Sequence, residues 1–499
     1  MDLVATLEAK LDPVTEPEAA TMAAWDAYLT ATLPPERAAA IEREGIFPRA
    51  ELDALLRGPA GDAFVPHAEG GTLSWSTLMR ICSRLAERQL GVVLCLGGVV
   101  LGELPFLVAG NAEQRAAFMT SLREGGLAGL ALSEWDHGSD LLGNDTVATE
   151  THDGWRLSGT KRPINNASVA THLAVLARTG EPNDPFGATL FHVRRPTPGL
   201  SATGPVDWSG FPGMDLDGVV LDDAAADPLG GVGKGFALAR RVLEISRGGV
   251  ACMANGVHAA AVGLAEAHVR ERSLYGAPIA ELEPVRVSRA RLRTRLVAAL
   301  ALGRVAARTT QRAAVSARQW TCAAKLLCPE LLERSVHDAG TLLGARSLMG
   351  PFAALRRDAP ILAIFDGSSQ LQKDELWRHA ATWRRELEEP SSVGVFDPWR
   401  EDPEVAALCP LSLGVEGAAE VHEAARGARS ESVATRFAIS EAAASLYALA
   451  AMTRLGAPAP FVAHARWLLR TPLATMGVAV KDRREPWEPT EASWGSIVG

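Results

Sequence analysis

The sequence predicts a mainly α-helical protein with a small β-domain in its middle. Up to about residue 122, apolar residues recur at spacings of three and four, which is the pattern of amphipathic helices. Between about residues 128 and 227, short β-type runs alternate with Gly, Pro, Asn and Asp. Helical spacing returns at about residue 236 and continues to about residue 388. We therefore expect a helical domain, a β-domain and a helical bundle, in that order.

The N-terminal helical domain is assigned to residues 1–124, and its most apolar stretch is residues 89–101. Glu103 and Pro105 interrupt this stretch before it reaches the ~20 apolar residues that a membrane-spanning helix needs. We therefore expect a buried core helix here and no membrane partner.

The β-domain is assigned to residues 125–235. Trp155, Leu173 and Thr189 each open a short run that is typical of a strand. The glycine run at residues 230–235 has neither the spacing of a Rossmann fingerprint nor the Lys-Ser/Thr pair of a phosphate-binding loop. It is therefore predicted to be a connector between a strand and a long helix.

The helical bundle is assigned to residues 236–388, and two segments follow it. Residues 389–403 are rich in Pro, Ser and Gly, as in a linker, and residues 404–499 are predicted to be a helical extension that ends in a tail. From about residue 480 the tail has little periodicity, so we expect it to lie on the surface or on a partner subunit.

Composition excludes several classes of function. The 59 acidic and 50 basic residues give a formal net charge of −9, which argues against non-specific binding of nucleic acid or anionic lipid. The start of the chain lacks the basic and apolar regions of a secretory signal, so a cytoplasmic location is expected. The six cysteines form no C-x-x-C pair, and no two of the eleven histidines are four residues apart. We expect neither disulfides nor a metal site.

Near the end of the predicted bundle, an acidic residue stands between an apolar segment and a polar helix start. Residues 361–365 are apolar, Asp366 follows them, and Gly367 begins a turn before the helix. An apolar setting favours the protonated form of a carboxyl group and suits it to removing a weakly acidic proton. Asp366 is therefore a candidate general base; the alternative is a turn or helix-cap residue.

Four further segments precede this acid, namely Leu132-Ser133-Glu134, Gly138-Ser139-Asp140, Gly159-Thr160-Lys161 and Asn165-Asn166-Ala167. Together they occur in the order found in the acyl-CoA dehydrogenase family, which the chain resembles from roughly residue 85 to residue 385. The resemblance implies an N-terminal helical domain, a β-barrel or sandwich domain and a C-terminal four-helix bundle that enclose FAD. It also implies that a carboxylate removes the α-proton of an acyl thioester while the flavin takes a hydride from the β-carbon.

By this resemblance Asp366 is the catalytic base, but most members carry glutamate at its position. Because a misplacement of about an ångström can cost roughly a hundredfold in rate, a closer substrate, a different reacting carbon and reduced activity all remain open. The family's other position for the base corresponds to Ser246, which cannot replace it. The Asp366 backbone N–H is expected to polarise the thioester carbonyl. Glu244 and Arg247 are assigned to the substrate side of the site.

The resemblance also implies residues that contact the flavin. Leu130, Leu132 and Ser133 belong to the strand beside the ring, where the Ser133 hydroxyl bonds the ring edge. Gly138 and Ser139 are small enough for the cofactor phosphates and the substrate's pantetheine arm to approach closely. The alternative for this pair is an ordinary polar loop.

Four further positions depart from the family's pattern. Pro163 stands where an aromatic residue is usual and cannot stack as an indole does, so the packing of the flavin is expected to differ. Asn165 stands where Thr or Ser is usual; it can donate a hydrogen bond to a ring nitrogen or simply mark a turn. Glu283 replaces a Gln, and Arg346 lies in a loop that is usually Gly-Gly-x-Gly. The last two indicate unusual binding of the adenosine end or altered packing.

A final group of residues implies an oligomer. Arg272, with Tyr275 and Gly276, matches the pattern in which an arginine reaches the flavin pyrophosphate of a neighbouring subunit. A homodimer or homotetramer is therefore expected. Ser368 and Gln370 match family residues near the adenosine part of FAD.

The predicted function is FAD-dependent α,β-dehydrogenation of an acyl thioester, carried by coenzyme A or by a carrier protein. An electron-transfer flavoprotein or oxygen is the expected acceptor. Two alternatives remain: a flavin monooxygenase on the same fold, which needs no carboxylate base, and a non-catalytic assembly subunit whose flavin site has decayed. The acyl chain's length and branching stay open because residues spread over three segments would line the pocket.

Overall fold

A computed structural model describes residues 3–14, 18–383, 396–400, 409–475 and 485–498. It contains two compact units. The first unit comprises Met1–Ala19, Ser74–Leu90 and Arg247–Gly499, and the second comprises Ala20–Leu73 and Gly91–Ser246. Each unit is thus assembled from segments that are separated along the chain.

Most of the described elements are α-helices. In chain order they are α1 (Leu3–Leu11), α2 (Glu18–Ala31), α3 (Pro35–Glu44), α4 (Arg49–Leu56), α5 (Trp75–Arg88), α6 (Leu90–Ala109), α7 (Ala112–Arg123), α8 (Gly235–Glu271), α9 (Glu283–Arg312), α10 (Arg318–Leu343), α11 (Gly350–Asp358), α12 (Ser369–Ala380), α13 (Ala418–Gly427), α14 (Val433–Arg454), α15 (Ala459–Leu468), α16 (Arg470–Thr475) and α17 (Trp487–Val498). Short 3₁₀ segments lie at Pro59–Phe64, His67–Glu69, Leu141–Gly143, Ile279–Glu281, Gly344–Leu348, Ala359–Ala363 and Ala428–Ser430.

The predicted β-block in the middle of the chain is confirmed. Its strands are β1 (Ala128–Ala131), β2 (Val147–Thr151), β3 (Gly154–Asn165), β4 (His172–Arg178), β5 (Ala188–Arg194), β6 (Leu200–Ala202) and β7 (Leu216–Leu229). A separate short hairpin pairs β8 (Ser273–Leu274) with β9 (Ala277–Pro278). Residues 230–234 join β7 directly to α8, so the glycine run is the connector that was predicted.

The β-domain is a closed barrel, which agrees with the predicted barrel or sandwich. The sheet runs in the order β1-β4-β2-β3-β7-β5, and β5 also pairs with β4. Five strands therefore form a ring, while β1 lies parallel to β4 outside it and β6 pairs with β7. Alternate side chains point inward to a core that includes Leu157, Leu173, Val175, Phe191 and Val219. The ring closes between β2 and β4 at one pair, Val147 with Arg178.

Helix α6 runs through the positions that were expected to end it. Pro105 lies inside the helix, as does Glu103. A proline inside a helix costs about 3 kcal/mol, and the nearly complete burial of this helix outweighs that cost. Helices α6 and α8 are both long and apolar enough to cross a membrane, but 83% of each apolar window is buried within the described structure. Such burial is what the predicted core helix requires.

The first unit is a helical bundle with added helices. Helix α9 packs against α5 and α10, and α10 packs against α12. Helix α8 joins them through Asn255, whose Nδ2 donates to Ala299 O on α9 at 2.9 Å. The C-terminal extension covers this bundle, since α14 packs on α9, α10 and α12.

The prediction for the tail was wrong in one respect. Residues 487–498 form helix α17, which packs against α9. Trp494 is only 5% exposed there, and Glu491 pairs with Arg293 on α9 at 2.6 Å. Packing and charge pairing thus create a helix that the local periodicity did not indicate. The predicted linker lies outside the described residues except for positions 396–400, and the domain boundaries stay predictions.

Candidate active site

Asp366 lies in a tight turn between the 3₁₀ segment Ala359–Ala363 and helix α12. Its backbone φ is +56°, in the left-handed region, and Gly367 follows with φ +91°. Aspartate is one of the few L-residues that adopts this region readily, because its short polar side chain bonds locally. A Cβ atom at Gly367 would lie 2.7 Å from Gln372 Nε2. The turn therefore needs glycine at position 367 and suits a short acid at position 366.

The apolar setting predicted for Asp366 is only partly present. Leu362 is fully buried, but Ile364 is 61% exposed and turns away from the interior. Asp366 itself is half-buried. Two buried cations, and not a continuous apolar wall, are its most notable neighbours.

The first of these cations is Lys325 on α10, which the sequence reasoning did not identify. The Lys325 side chain is fully buried, and its Nζ donates a hydrogen bond to Leu362 O at 2.7 Å. Burial lowers the pKa of Lys325 to about 8, although the nearby carboxylate of Asp366 acts to raise it and Arg247 lowers it further. A single lysine between apolar triplets at residues 322–324 and 326–328 was the signal available in the sequence.

The second cation is Arg247 on α8, which is 1% exposed. It forms a bidentate salt bridge with Glu375 on α12. Nη1 donates to Oε2, and Nη2 donates to Oε1 at 3.2 Å. A Cβ atom at Gly367 would lie 3.9 Å from Arg247 Nη2, so this guanidinium is close to the Asp366 turn. We call Arg247, Lys325, Asp366 and Glu375 the charge cluster. Its two cations and two carboxylates compensate one another, which makes their burial tolerable.

Glu244 and Ser246 make side-chain contacts along helix α8. Ser246 is buried and its hydroxyl donates to Leu243 O at 3.2 Å, so it does not act as a base. Glu244 lies 3.5 Å from Arg241 and 3.4 Å from Arg240. Of the predicted substrate residues Ser139, Glu244 and Arg247, Arg247 lies beside the Asp366 turn.

In the β-domain, Ser133 follows strand β1 and is half-buried. Its carbonyl accepts a hydrogen bond from Arg162 N at 3.0 Å, which joins it to the middle of β3. Among the described residues, its hydroxyl has no hydrogen-bond partner. Leu132 is buried and Leu130 is half-buried on the same segment. The predicted flavin-side strand is therefore present, with a free hydroxyl at its end.

A buried ion pair that the sequence reasoning did not identify holds this segment. Lys161 Nζ lies 2.8 Å from Glu134 Oε1, and it also donates to Leu132 O at 3.1 Å. Burial acts to raise the pKa of Glu134, but Lys161 and hydrogen bonds from Thr146 and Asp145 hold it at about 2. Burial lowers the pKa of Lys161 to about 8. One lysine thus holds the backbone carbonyl of Leu132 and the side chain of Glu134, the two residues that flank Ser133.

Asn165 and Asn166 are more than a turn signal. Asn165 Nδ2 donates to Leu94 O at 2.7 Å, and its Oδ1 is buried without a hydrogen-bond partner in the described chain. Asn166, with φ +60°, donates to Cys95 O at 2.8 Å and to Ala128 O at 3.2 Å. Asn166 therefore pins helix α6 to β1, while Asn165 keeps an acceptor available for another molecule.

Other predicted site residues lie on the surfaces of their units. Ser368 caps helix α12 by accepting from Leu371 N at 3.5 Å, and Tyr275 is 95% exposed with φ +54°. Arg346 approaches His268 of α8, with Nη1 3.4 Å from Nδ1. The remaining exposed positions are Gly138, Ser139, Pro163, Arg272, Glu283 and Gln370.

Models of the acyl-CoA dehydrogenase middle and C-terminal domains match residues 129–224 and 233–381 of this chain. The mitochondrial short-chain specific acyl-CoA dehydrogenase of Mus musculus is 30% identical over 347 residues, covering 67% of this chain and 83% of that protein. The chain belongs to the acyl-CoA dehydrogenase family. Butyryl-CoA dehydrogenase from Megasphaera elsdenii superimposes with a TM-score of 0.69 at 25% identity, over 73% of this chain and 97% of that one.

The added C-terminal helices also have a structural counterpart. An acyl-CoA dehydrogenase from Bacillus anthracis, solved as a complex with FAD, matches with a TM-score of 0.76 at 17% identity. The match covers 99% of this chain and 97% of that chain. The fold is therefore shared along nearly the whole length, extension included.

Acyl-CoA dehydrogenases are FAD-dependent, so the predicted cofactor and enzyme class are confirmed by family membership. The residues of the β-domain fit such a cofactor. Within the described chain, Ser133 Oγ and Asn165 Oδ1 lack hydrogen-bond partners, and a flavin ring presents both donors and acceptors to such atoms. These two atoms are the polar groups of the β-domain that would hold the ring.

Proposed function

We propose that this protein catalyses FAD-dependent α,β-dehydrogenation of an acyl thioester, with Asp366 as the base that removes the α-proton. The observation that carries this proposal is the charge cluster: Asp366 is a half-buried acid in a fixed turn, next to the buried cations Lys325 and Arg247. FAD, when bound, supplies the hydride acceptor for the β-carbon. Asp366 receives the proton on a carboxylate oxygen.

Two features favour a catalytic role for Asp366 over a purely structural one. A turn residue needs only its backbone conformation, whereas buried cations beside a half-buried acid stabilise the ionised carboxylate that a base requires. The left-handed φ also fixes the direction of the Asp366 backbone N–H, which we propose polarises the thioester carbonyl. The same turn would then hold both the proton acceptor and the carbonyl donor.

The pH range of activity follows from the cluster. Below about pH 8 Lys325 keeps its charge, because burial lowers its pKa to about 8. Above that pH the positive charge beside Asp366 is lost, and the environment of the base changes. We therefore expect a plot of the flavin-reduction rate against pH to change slope near pH 8 in the native protein. The same plot for a Lys325→Met variant should show no change of slope there.

Coenzyme A is the proposed carrier of the acyl group, because the mouse protein that is 30% identical over 347 residues is named an acyl-CoA dehydrogenase. Arg247 beside the Asp366 turn and the exposed pair Gly138 and Ser139 are the proposed substrate contacts. Arg272 is exposed at the end of α8, and we propose that it contacts a neighbouring subunit. Sedimentation of the native protein and of Arg272→Ala tests the homo-oligomer.

The test of the function is anaerobic flavin absorbance on addition of a panel of acyl-CoA thioesters. The native protein should bleach with at least one thioester, and Asp366→Asn should not. Asp374→Asn is the matched control, since Asp374 is a partly exposed acid on the neighbouring helix α12 that pairs with Arg378 at 2.7 Å. Bleaching that survives in Asp366→Asn would contradict the role of the base. A native protein that never bleaches, but whose reduced flavin consumes oxygen with a substrate, would instead be a monooxygenase.

A further inference from the structure

The β-domain carries an aromatic residue that none of the roles above uses. Trp135 lies two residues after Ser133, in the turn that follows β1, and 70% of its surface is exposed. Large aromatic side chains left open to water at a ligand-facing segment commonly stack on a ligand. Trp135 is an aromatic residue near Pro163, and at position 163 the chain lacks the aromatic residue that the family usually places beside the flavin.

The structure brings the turn containing Trp135 next to the strand containing Pro163. Arg162 N donates to Ser133 O at 3.0 Å, so residues 133 and 162 are paired across the two segments. The Arg162 guanidinium carbon lies 5.6 Å from the centre of the Trp135 ring. Trp135 is therefore adjacent in space to the residue that precedes Pro163, although 28 positions separate 135 from 163 along the chain.

Arg162 also limits where the indole can lie. Its Nη2 donates to Pro205 O at 3.2 Å, which anchors the guanidinium on β3. The guanidinium covers one part of the ring by a cation–π contact, and the rest stays open. The two polar atoms that fit a flavin are close to these residues along the chain: Ser133 lies two positions before Trp135, and Asn165, whose Oδ1 is buried without a hydrogen-bond partner in the described chain, lies three positions after Arg162.

We propose that Trp135 supplies the aromatic surface against the flavin ring that the sequence lacks at position 163. The indole would stack on or against the edge of the ring, with Arg162 behind it. This inference rests on the FAD-binding role of the β-domain, and it deepens that role by naming a residue outside the family's usual position. It does not depend on which acyl thioester is oxidised or on Asp366.

The effect on affinity follows from the strength of aromatic pairs. Stacking of two aromatic rings contributes a few-fold to about tenfold in affinity beyond simple burial. Replacing Trp135 by alanine should therefore weaken FAD binding about tenfold, and phenylalanine should retain most of the affinity. Since Trp135 is largely exposed, neither change should disturb folding.

The experiment is a titration of FAD-depleted full-length protein with FAD, for the native chain, Trp135→Ala, Trp135→Phe and Trp399→Ala. Trp399 is 52% exposed in the other unit and is the matched control. The expected result is a dissociation constant raised about tenfold in Trp135→Ala, within about threefold of native in Trp135→Phe, and unchanged in Trp399→Ala. Tryptophan emission should also be quenched less on FAD addition in both Trp135 variants.

Other outcomes overturn the proposal. An unchanged FAD dissociation constant and unchanged quenching in Trp135→Ala would show that the indole does not contact the flavin. A normal FAD affinity with a raised KM for acyl-CoA alone would assign the indole to the substrate's arm. Because the titration contains no thioester, it stays readable even when no thioester bleaches the flavin, so the two proposals fail separately.

Discussion

Replacing Lys325 by methionine tests the charge cluster through protein stability, independently of catalysis. Lys325 is fully buried, and burial lowers its pKa from 10.5 to about 8 despite the neighbouring Asp366. Methionine has a similar length and removes the charge without opening a large cavity. The variant therefore isolates the consequences of holding a cation at this position.

The free-energy cost of the buried charge follows from the difference of about 2.5 between the unfolded and folded pKa values of Lys325. Each pKa unit corresponds to about 1.4 kcal/mol. At neutral pH, keeping Lys325 charged in the interior costs about 3 kcal/mol. Between pH 8 and pH 10.5 the unfolded chain binds more protons at this residue than the folded chain does, so stability rises with pH in that window. From pH 7 to pH 9.5 the gain due to Lys325 alone is about 2 kcal/mol.

The assay is denaturant unfolding of the native protein and of Lys325→Met at pH 7 and pH 9.5. The native protein should gain about 2 kcal/mol more than the variant between the two pH values. Lys161, whose pKa is also about 8, is present in both proteins, so its contribution cancels. Equal gains in the two proteins would refute the argument that Lys325 is a buried cation with a lowered pKa.

At pH 7 the variant's overall stability should stay within about 2 kcal/mol of native. The relief of the buried charge is offset by the loss of the hydrogen bond to Leu362 O, which leaves a buried carbonyl unpaired at a cost of about 1–3 kcal/mol. Flavin reduction should nevertheless slow at least tenfold, because the turn before Asp366 loses its anchor and the carboxylate its counter-charge. Lys325→Arg should recover part of the rate if the charge is what matters.

Three further substitutions have defined outcomes. Asp366→Glu keeps the acid but moves it by about an ångström, so kcat should fall about tenfold to a hundredfold, with about 1 kcal/mol of destabilisation from the left-handed φ of +56°. Gly367→Ala should cost about 1–3 kcal/mol in unfolding free energy, since its Cβ would lie 2.7 Å from Gln372 Nε2 at φ +91°; no loss in a denaturant titration would contradict this. Glu134→Gln strands the buried Lys161 and should cost about 3–5 kcal/mol. Native protein should lose this stabilisation as pH falls from about 4.5 to about 2, and the variant should not.

The sequence was sufficient for the order of helical and β-segments because periodicity is a local property. The strands that contain Trp155, Leu173 and Thr189, and the connector at residues 230–234, lie where the pattern placed them. The passage of α6 through Pro105 and the helix at residues 487–498 were not predicted. Both depend on burial against segments that are distant in the sequence, β1 for α6 and α9 for the C-terminal helix. Such burial outweighs the local preference and leaves no local signal.

The candidate site divides in the same way. Asp366 and Ser133 were identified by motif order, and their roles remain predictions. Lys325 was missed because a charged residue in a helix is usually solvated, and only the fold reveals that this one is buried beside Asp366. The Glu134–Lys161 pair was missed because its members come together only where the segment after β1 lies against β3. The cytoplasmic location and the oligomeric state also stay predictions.

The most direct test of Asp366 as the base is the rate of flavin reduction by an acyl-CoA deuterated at its α-carbon, measured anaerobically in a single turnover. Native protein should be slowed by a primary isotope effect, because removal of the α-hydrogen is part of the rate-limiting step. Asp366→Asn should bind the same thioester and leave its flavin oxidised. Reduction by Asp366→Asn at the native rate, with the isotope effect intact, would show that another group takes the proton.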